Sequence, residues 1–303
     1  MKATRDAFGE QLKASAENND QIIGLNADLG GATKINAFGE EYPDRFLEMG
    51  IAENNMIGVA SGLSEYGFKV FLASFASFLT GKYDAIRCSI AYSNAPCILV
   101  GTHSGLAIGK DGVTQMGLED ISLMRALPGM TILNPSTYNQ TKSLVKFLCE
   151  NEITNPHYLR LGRQPVTEIY SEIDSFEIGK GTLHRTGSLG VVFSTGCVLG
   201  DVLAATEGLN VSVIDMHTIK PLDREIIIKY STNHVFTVED HTIIGGLGSA
   251  VAEIIAEEGL GVKLHRIGLN DMFPESGEPS DLYDKYGLSS NKIKEQIIST
   301  LDL

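Results

Sequence analysis

The stretch "KVFLASFASFLTGKYDAIRCSIAYSNAPCILVGT", Lys69 to Thr102, holds two short apolar runs, "KVFLAS" and "PCILVGT", on either side of a longer amphipathic segment at 78–92. Runs this short and this apolar read as strands. The intervening helix is the kind of connection that lets two such strands lie parallel. The alternation extends in both directions. Upstream stand "QIIGLNA" and a helical segment that opens at Glu53 and ends near Tyr66; downstream follow 118–127, "MTILNP", 137–150 and "HYLRL". After a polar, strand-poor stretch from Gln164 to Gly187 a second alternation begins: "LGVVFST", 199–207, "VSVIDM", 223–230, "HVFTVED", 247–258 and "VKLHRIG". The reading is an α/β chain of two domains, each a mostly parallel sheet flanked by helices, at 1–165 and 188–303 with a linker at 166–187. Ser289 and Ser290 precede "NKIKEQIIST" as N-cap residues of a closing helix.

With 303 residues the chain is long enough for two domains with sizeable apolar cores. Its formal charge of −14 argues against a protein that coats nucleic acid or anionic membrane, while leaving room for a local basic pocket for a small phosphate. The four cysteines, Cys88, Cys97, Cys149 and Cys197, form no CxxC pair and lie in apolar or helical contexts. Buried free thiols in a reducing cytoplasm are expected. The start "MKATRDAFGEQL" has no apolar signal core, and no apolar run approaches the roughly 20 residues of a membrane span. A soluble, cytoplasmic chain is the expectation.

In open α/β sheets, ligands sit beyond the carboxyl ends of the strands, so the loops after "IIGLNA", "VFLAS", "ILVGTH" and "HYLRL" should meet on one rim. The long loop "THSGLAIGKDGVTQMG", with its glycines, His103 and Asp111, is too long for a connector and reads as a binding loop. In "MGIAENNMIGVASGL" one carboxylate, Glu53, heads an otherwise small and apolar helix. A charge there is capped, exposed or functional, because burying it unpaired costs several kcal/mol. No G-x-S-x-G elbow is present, which disfavours a hydrolase. "GGLGSA" lacks the spacing of a dinucleotide fingerprint and reads as close helix–sheet packing. On pattern alone His103 and Asp111 are as readily structural as functional. Arg5 and Arg163 are by default solvated charges, and Phe75 and Phe78 ordinary core.

Taken together, "YPDRFLEMGIAENNM", "ASFASFLTGKYDAIR", "GKDGVTQMGLEDISLMRALPGMTILNPS" and "VIDMHTIKPLD" resemble, in order, the pyrimidine-binding and C-terminal domains of the transketolase family of thiamine-diphosphate enzymes. The resemblance covers essentially the whole chain and gives its residues roles. It puts Glu53 at the glutamate that hydrogen-bonds N1′ of the aminopyrimidine, favouring the imino tautomer whose nitrogen takes the proton from thiazolium C2. Phe78 matches the aromatic that stacks on the pyrimidine, with Phe75 beside it, and Asp28 and Gln115 match cofactor-contacting positions. His103 and Asp111 match residues that hydrogen-bond the sugar. Arg5 and Arg163 match the pair that grips the phosphate of a sugar phosphate.

Two departures from the family pattern stand out. The family's serine phosphate ligand falls on Ala32, which weakens phosphate recognition or shifts it to Thr33 or Lys34. The GDG motif, which with a downstream asparagine binds the diphosphate through Mg²⁺, does not occur in the sequence. The resemblance therefore implies the C-terminal subunit of a split transketolase in carbohydrate metabolism, of the pentose phosphate kind or a sulfosugar relative. It transfers a two-carbon ketol unit from a ketose phosphate to an aldose phosphate. Thiamine diphosphate is the implied cofactor, with Mg²⁺ held by a partner subunit in a heterotetramer. Alternative readings are the matching half of a deoxyxylulose-phosphate synthase, the β-subunit of a 2-oxo acid dehydrogenase, and a non-catalytic regulatory module.

Overall fold

The computed structural model describes residues 1–171 and 176–303. Among the described residues twelve strands run β1 (Ile22–Asn26), β2 (Phe46–Glu48), β3 (Lys69–Phe75), β4 (Ile98–Thr102), β5 (Thr131–Leu133), β6 (His157–Arg160), β7 (Thr182–Arg185), β8 (Gly190–Thr195), β9 (Val211–Asp215), β10 (Thr218–Lys220), β11 (His234–Thr242) and β12 (Lys263–Leu269). They form a seven-stranded sheet in the order β10-β5-β6-β4-β3-β1-β2 and a five-stranded sheet in the order β12-β11-β8-β9-β7. Six strands of the larger sheet are parallel, and β10 joins its edge antiparallel to β5. The smaller sheet is parallel except for β7, which pairs antiparallel with β9. Among the described residues no helix is long and apolar enough to cross a membrane.

The unbroken apolar runs are explained by burial on two faces. In β3, Val70 and Leu72 pack with Met56, Ile57 and Leu79 on one side, while Phe71 and Ala73 pack with Phe8, Leu12, Leu144 and Leu148 on the other. In β8, Val192 and Val191 likewise turn to opposite cores. Period-two geometry with helices on both faces leaves no polar side for alternation to record. Side chains of the preceding residues cap three helices: Thr137 accepts from the Gln140 amide at 3.2 Å, Asp223 from the Ile226 amide at 3.1 Å and Ser289 from the Lys292 amide at 3.4 Å. Each such cap contributes about 1 kcal/mol.

Three sequence expectations need correction. The stretch 78–92 is not one helix but Ala76–Thr80, a short turn Tyr83–Ala85 and a π-helical segment Ile86–Ala91. Strand β7 lies inside the stretch read as a linker, part of which, 172–175, lies outside the described residues. Cys88 is exposed rather than buried; Cys97 and Cys149 are buried, and burial pushes both thiols up to about 12.

Candidate functional site

The parallel strands β1, β3, β4 and β6 end on one rim, and the segments leaving them are joined there by specific contacts. Arg5, on the helix Thr4–Ala16, donates from Nη1 to the Ala32 carbonyl at 2.8 Å and lies 3.0 Å from His103 Nε2. Arg163, just past β6, donates from Nη1 to the Ile108 carbonyl at 2.8 Å and to Asp111 Oδ2 at 3.0 Å. Ser77 donates to the Gln115 carbonyl at 3.0 Å, which ties the far end of the glycine loop to the helix carrying Phe78. The Phe78 ring stacks on Phe75 at 5.2 Å, and Phe75 stacks on the His103 imidazole at 3.8 Å. Arg5, His103, Phe75 and Phe78 thus form one linked group, and the Arg163–Asp111 pair lies near enough for its arginine to act on His103 electrostatically.

The protonation state of His103 follows from its surroundings. Burial first, then the positive charges of Arg5 and Arg163, lower its pKa to about 3, so the ring is neutral at physiological pH. A guanidinium only donates, so Nε2 accepts from Arg5 and the proton sits on Nδ1. Nδ1–H then donates to Thr102 Oγ1 at 2.9 Å, and the threonine hydroxyl donates to the Ser74 carbonyl at 3.3 Å. His103 holds φ of +57°, a left-handed conformation uncommon for a side chain of this size, at the turn where β4 enters the loop. Arg5 is itself partly desolvated: burial lowers its pKa, and its buried Nε has no hydrogen-bond partner. Its Nη2 also has no partner among the described residues and is not enclosed.

Glu53 opens the helix Glu53–Glu65 and is 9% exposed. Its carboxylate has no hydrogen-bond or ion-pair partner among the described residues. The helix N-terminus favours a negative charge at this position by about 0.3–1 kcal/mol. The residue is buried but its carboxylate oxygens are not enclosed, so the side chain is free to take a partner that the described residues do not supply. Met56 and Ile57, one turn on, share a buried cluster with Leu79, next to Phe78. Asp28 lies across the neighbouring turn with φ of +56° and is exposed. Its amide donates to Glu48 Oε1 at 2.8 Å, and Glu48 also accepts from the Gly50 amide at 2.9 Å and from the Asn26 side chain.

Sequence reading missed Glu48 as the carboxylate that fastens the turns carrying Asp28 and Glu53, and Thr102 as the group that fixes the His103 tautomer. The signal for Glu48 was a second acidic residue five positions before Glu53; Thr102 carried none. At Ala32 the question left by the missing serine narrows. Thr33 is fully buried and its hydroxyl donates to the Leu29 carbonyl at 3.1 Å, so it is committed within its own turn. Lys34, half-exposed and 3.5 Å from Asp6, remains. The "GGLGSA" turn is closed by Glu239, which accepts from the Leu247 and Gly248 amides at 2.7 and 2.8 Å. A carboxylate already fills the anion position there.

For thiamine diphosphate the residues fit in part. An unpaired carboxylate at Glu53 and an aromatic face at Phe78 suit an aminopyrimidine ring, whereas no group of three or more His, Cys, Asp or Glu able to hold a metal occurs among the described residues. Comparison with known proteins identifies the family. The family model "Transketolase, pyrimidine binding domain" matches residues 1–168 and "Transketolase, C-terminal domain" matches 179–293. A Methanocaldococcus jannaschii protein named "Putative transketolase C-terminal section" is 40% identical, over 99% of this chain and 96% of its own length. A 6-deoxy-6-sulfo-D-fructose transketolase subunit from a Clostridium species is 36% identical over 95% of this chain and 91% of its own. A solved structure titled "Split gene transketolase, inactive beta4 tetramer" superposes with a TM-score of 0.90 at 38% identity, covering 100% of this chain and 99% of that one. The chain belongs to the transketolase family and corresponds to the C-terminal section of its split members.

Proposed function

We propose that this chain is the C-terminal subunit of a split transketolase, active when a partner subunit brings the diphosphate- and Mg²⁺-binding domain. In that assembly it transfers a two-carbon ketol unit from a ketose phosphate to an aldose phosphate. The observation that carries the reading is Glu53, a residue 9% exposed whose carboxylate has no partner among the described residues. Glu53 would hold a proton against the ring nitrogen of the aminopyrimidine, and Phe78 would stack on that ring. When bound, thiamine diphosphate supplies a carbon centre able to take up and release the two-carbon unit.

The other residues act on the sugar. Neutral His103 offers an acceptor at Nε2 when Arg5 turns toward an anion, and Asp111 accepts from sugar hydroxyls. Arg5 and Arg163 supply the positive charge for the anionic end, which Ala32 cannot assist through a hydroxyl. Because one relative is named for a sulfosugar, the donor screen should set xylulose 5-phosphate beside 6-deoxy-6-sulfofructose and pyruvate. Turnover of xylulose 5-phosphate by the mixed subunits supports the proposal, whereas turnover of 6-deoxy-6-sulfofructose alone would keep the split transketolase and replace the ketose phosphate by a sulfonated donor. Preference for pyruvate would move the assignment to a dehydrogenase-like or deoxyxylulose-phosphate-forming half, and full activity of the chain alone with Mg²⁺ would refute the split arrangement.

A further inference from the structure

We infer that Asp240, on strand β11 of the second sheet, is a positioning residue that holds the His103–Asp111 loop in its working place. The residue is 5% exposed, and a carboxylate so buried requires donors. It has two: the Leu106 amide donates to Oδ1 at 2.9 Å and the Tyr283 hydroxyl donates to Oδ2 at 2.6 Å. The first of these lies at the very start of the loop, three residues after His103. Gly105, between them, has φ of +78°, and a Cβ built on it would come within 2.0 Å of Asp240 Oδ2. Glycine is required there for conformation and for closeness to the carboxylate.

The same strand grips the other end of the loop. The Thr242 amide donates to the Leu118 carbonyl at 2.9 Å, and Arg160 bridges the Gly117 and Asp240 carbonyls at 3.0 and 2.9 Å. Between these ends, Leu106 and Ile108 pack in the cluster that holds Val192, Val213, Phe236 and Val238 of the second sheet. The second domain therefore reaches the sugar-binding rim through the loop's backbone, with Asp240 as the anchor that a single substitution can remove. Two arginine-bound points, Ile108 and Asp111, follow from where this anchor sets the chain.

The inference rests on the sugar-binding reading of the loop, and two readouts separate them. Amide hydrogen exchange is measured over 104–117 in the full chain, and donor kinetics in the subunit mixture. In Asp240→Ala, exchange at Leu106 and onward to Gly112 should rise about tenfold or more, the protection one charge-assisted hydrogen bond gives. The helix Thr4–Ala16 and strand β8 should stay protected. Asp240→Asn keeps an acceptor for the Leu106 amide and should restore protection to within about twofold of wild type. If Asp240→Ala does not fold, Gly105→Ala, whose Cβ would push the Asp240 carboxylate away from the Leu106 amide, should open the same segment. Unchanged loop exchange in whichever of these folds, or an Asn variant as open as the Ala variant, overturns the inference. With the loop opened, KM for the ketose donor should rise about tenfold while kcat changes less than about threefold. Loop opening without a change in KM leaves the anchor in place and removes the sugar-binding reading beneath it.

Discussion

Replacing Arg160 by leucine should be among the most damaging single changes in the chain, although Arg160 touches no proposed ligand. Its side chain is 4% exposed and that of its partner Asp120 is 0% exposed. Nε donates to Asp120 Oδ2 at 2.9 Å, and Nη2 to the Gly117 and Asp240 carbonyls. Without the guanidinium, Asp120 is a buried carboxylate left with the Tyr158 hydroxyl, 2.7 Å away, as its donor. Breaking one side of a buried pair costs about 3–5 kcal/mol. The Asp240 carbonyl loses a donor for about 1 kcal/mol more, while Gly117 keeps the Gly105 amide at 2.8 Å. The sum, about 4–6 kcal/mol, is a large part of the stability of an ordinary domain. In urea, at a slope of about 3 kcal/mol per molar, the midpoint should fall by about 1.3–2 M. Adding Asp120→Asn in the Arg160→Leu background removes the stranded charge but keeps an oxygen for Tyr158, and should recover about 2 kcal/mol. The assay is urea unfolding followed by circular dichroism. A midpoint within about 0.3 M of wild type for Arg160→Leu, or a double variant as weak as the two singles summed, would refute the reasoning.

Glu53→Gln should abolish turnover of the mixed subunits yet leave the stability of the chain alone within about 1 kcal/mol of wild type, because it removes a charge that nothing among the described residues pairs. A comparable loss of stability would make Glu53 structural. Arg163→Ala should raise KM for the phosphorylated donor about tenfold or more with a smaller effect on kcat, since it removes binding to the anionic end; a pure kcat effect contradicts that role. His103 should keep the shifts of a neutral imidazole, protonated on Nδ1, from pH 8 down to pH 5 in heteronuclear NMR. With a native pKa near 3, below that of an unfolded histidine, its contribution to stability is complete above about pH 6.5 and is lost as the pH falls toward 3. A titration midpoint above about 5.5 would contradict the buried, cation-flanked setting described for it.

The sequence made the central strands legible, since β3, β4, β8 and β11 are buried on two faces and their apolar runs have no other reading. The edge strands β2, β7 and β10 were not, because three or four residues with one free side carry too little pattern to stand out from loops. The broken helix after Phe75 kept a helical spacing of apolar residues across Gly81, which periodicity alone could not divide. At the site, Glu53, His103, Asp111 and the two arginines were singled out one at a time, by odd charges and a long glycine loop, and drawn together by resemblance. What joins them is tertiary. The Arg5–His103 contact spans 98 residues and the Leu106–Asp240 bond 134. No local pattern records such pairings, although an arginine inside the apolar run "HYLRL" and the two carboxylates of "TVED" were signs that buried charge had to be answered elsewhere.

The most direct test mixes the purified chain with a partner subunit carrying the diphosphate-binding domain, then follows release of the aldose from xylulose 5-phosphate or 6-deoxy-6-sulfofructose in the presence of thiamine diphosphate and Mg²⁺. The account predicts turnover from the mixture, none from either chain alone, and none from a mixture made with Glu53→Gln. Full turnover by this chain alone, or by the mixture containing Glu53→Gln, would contradict it.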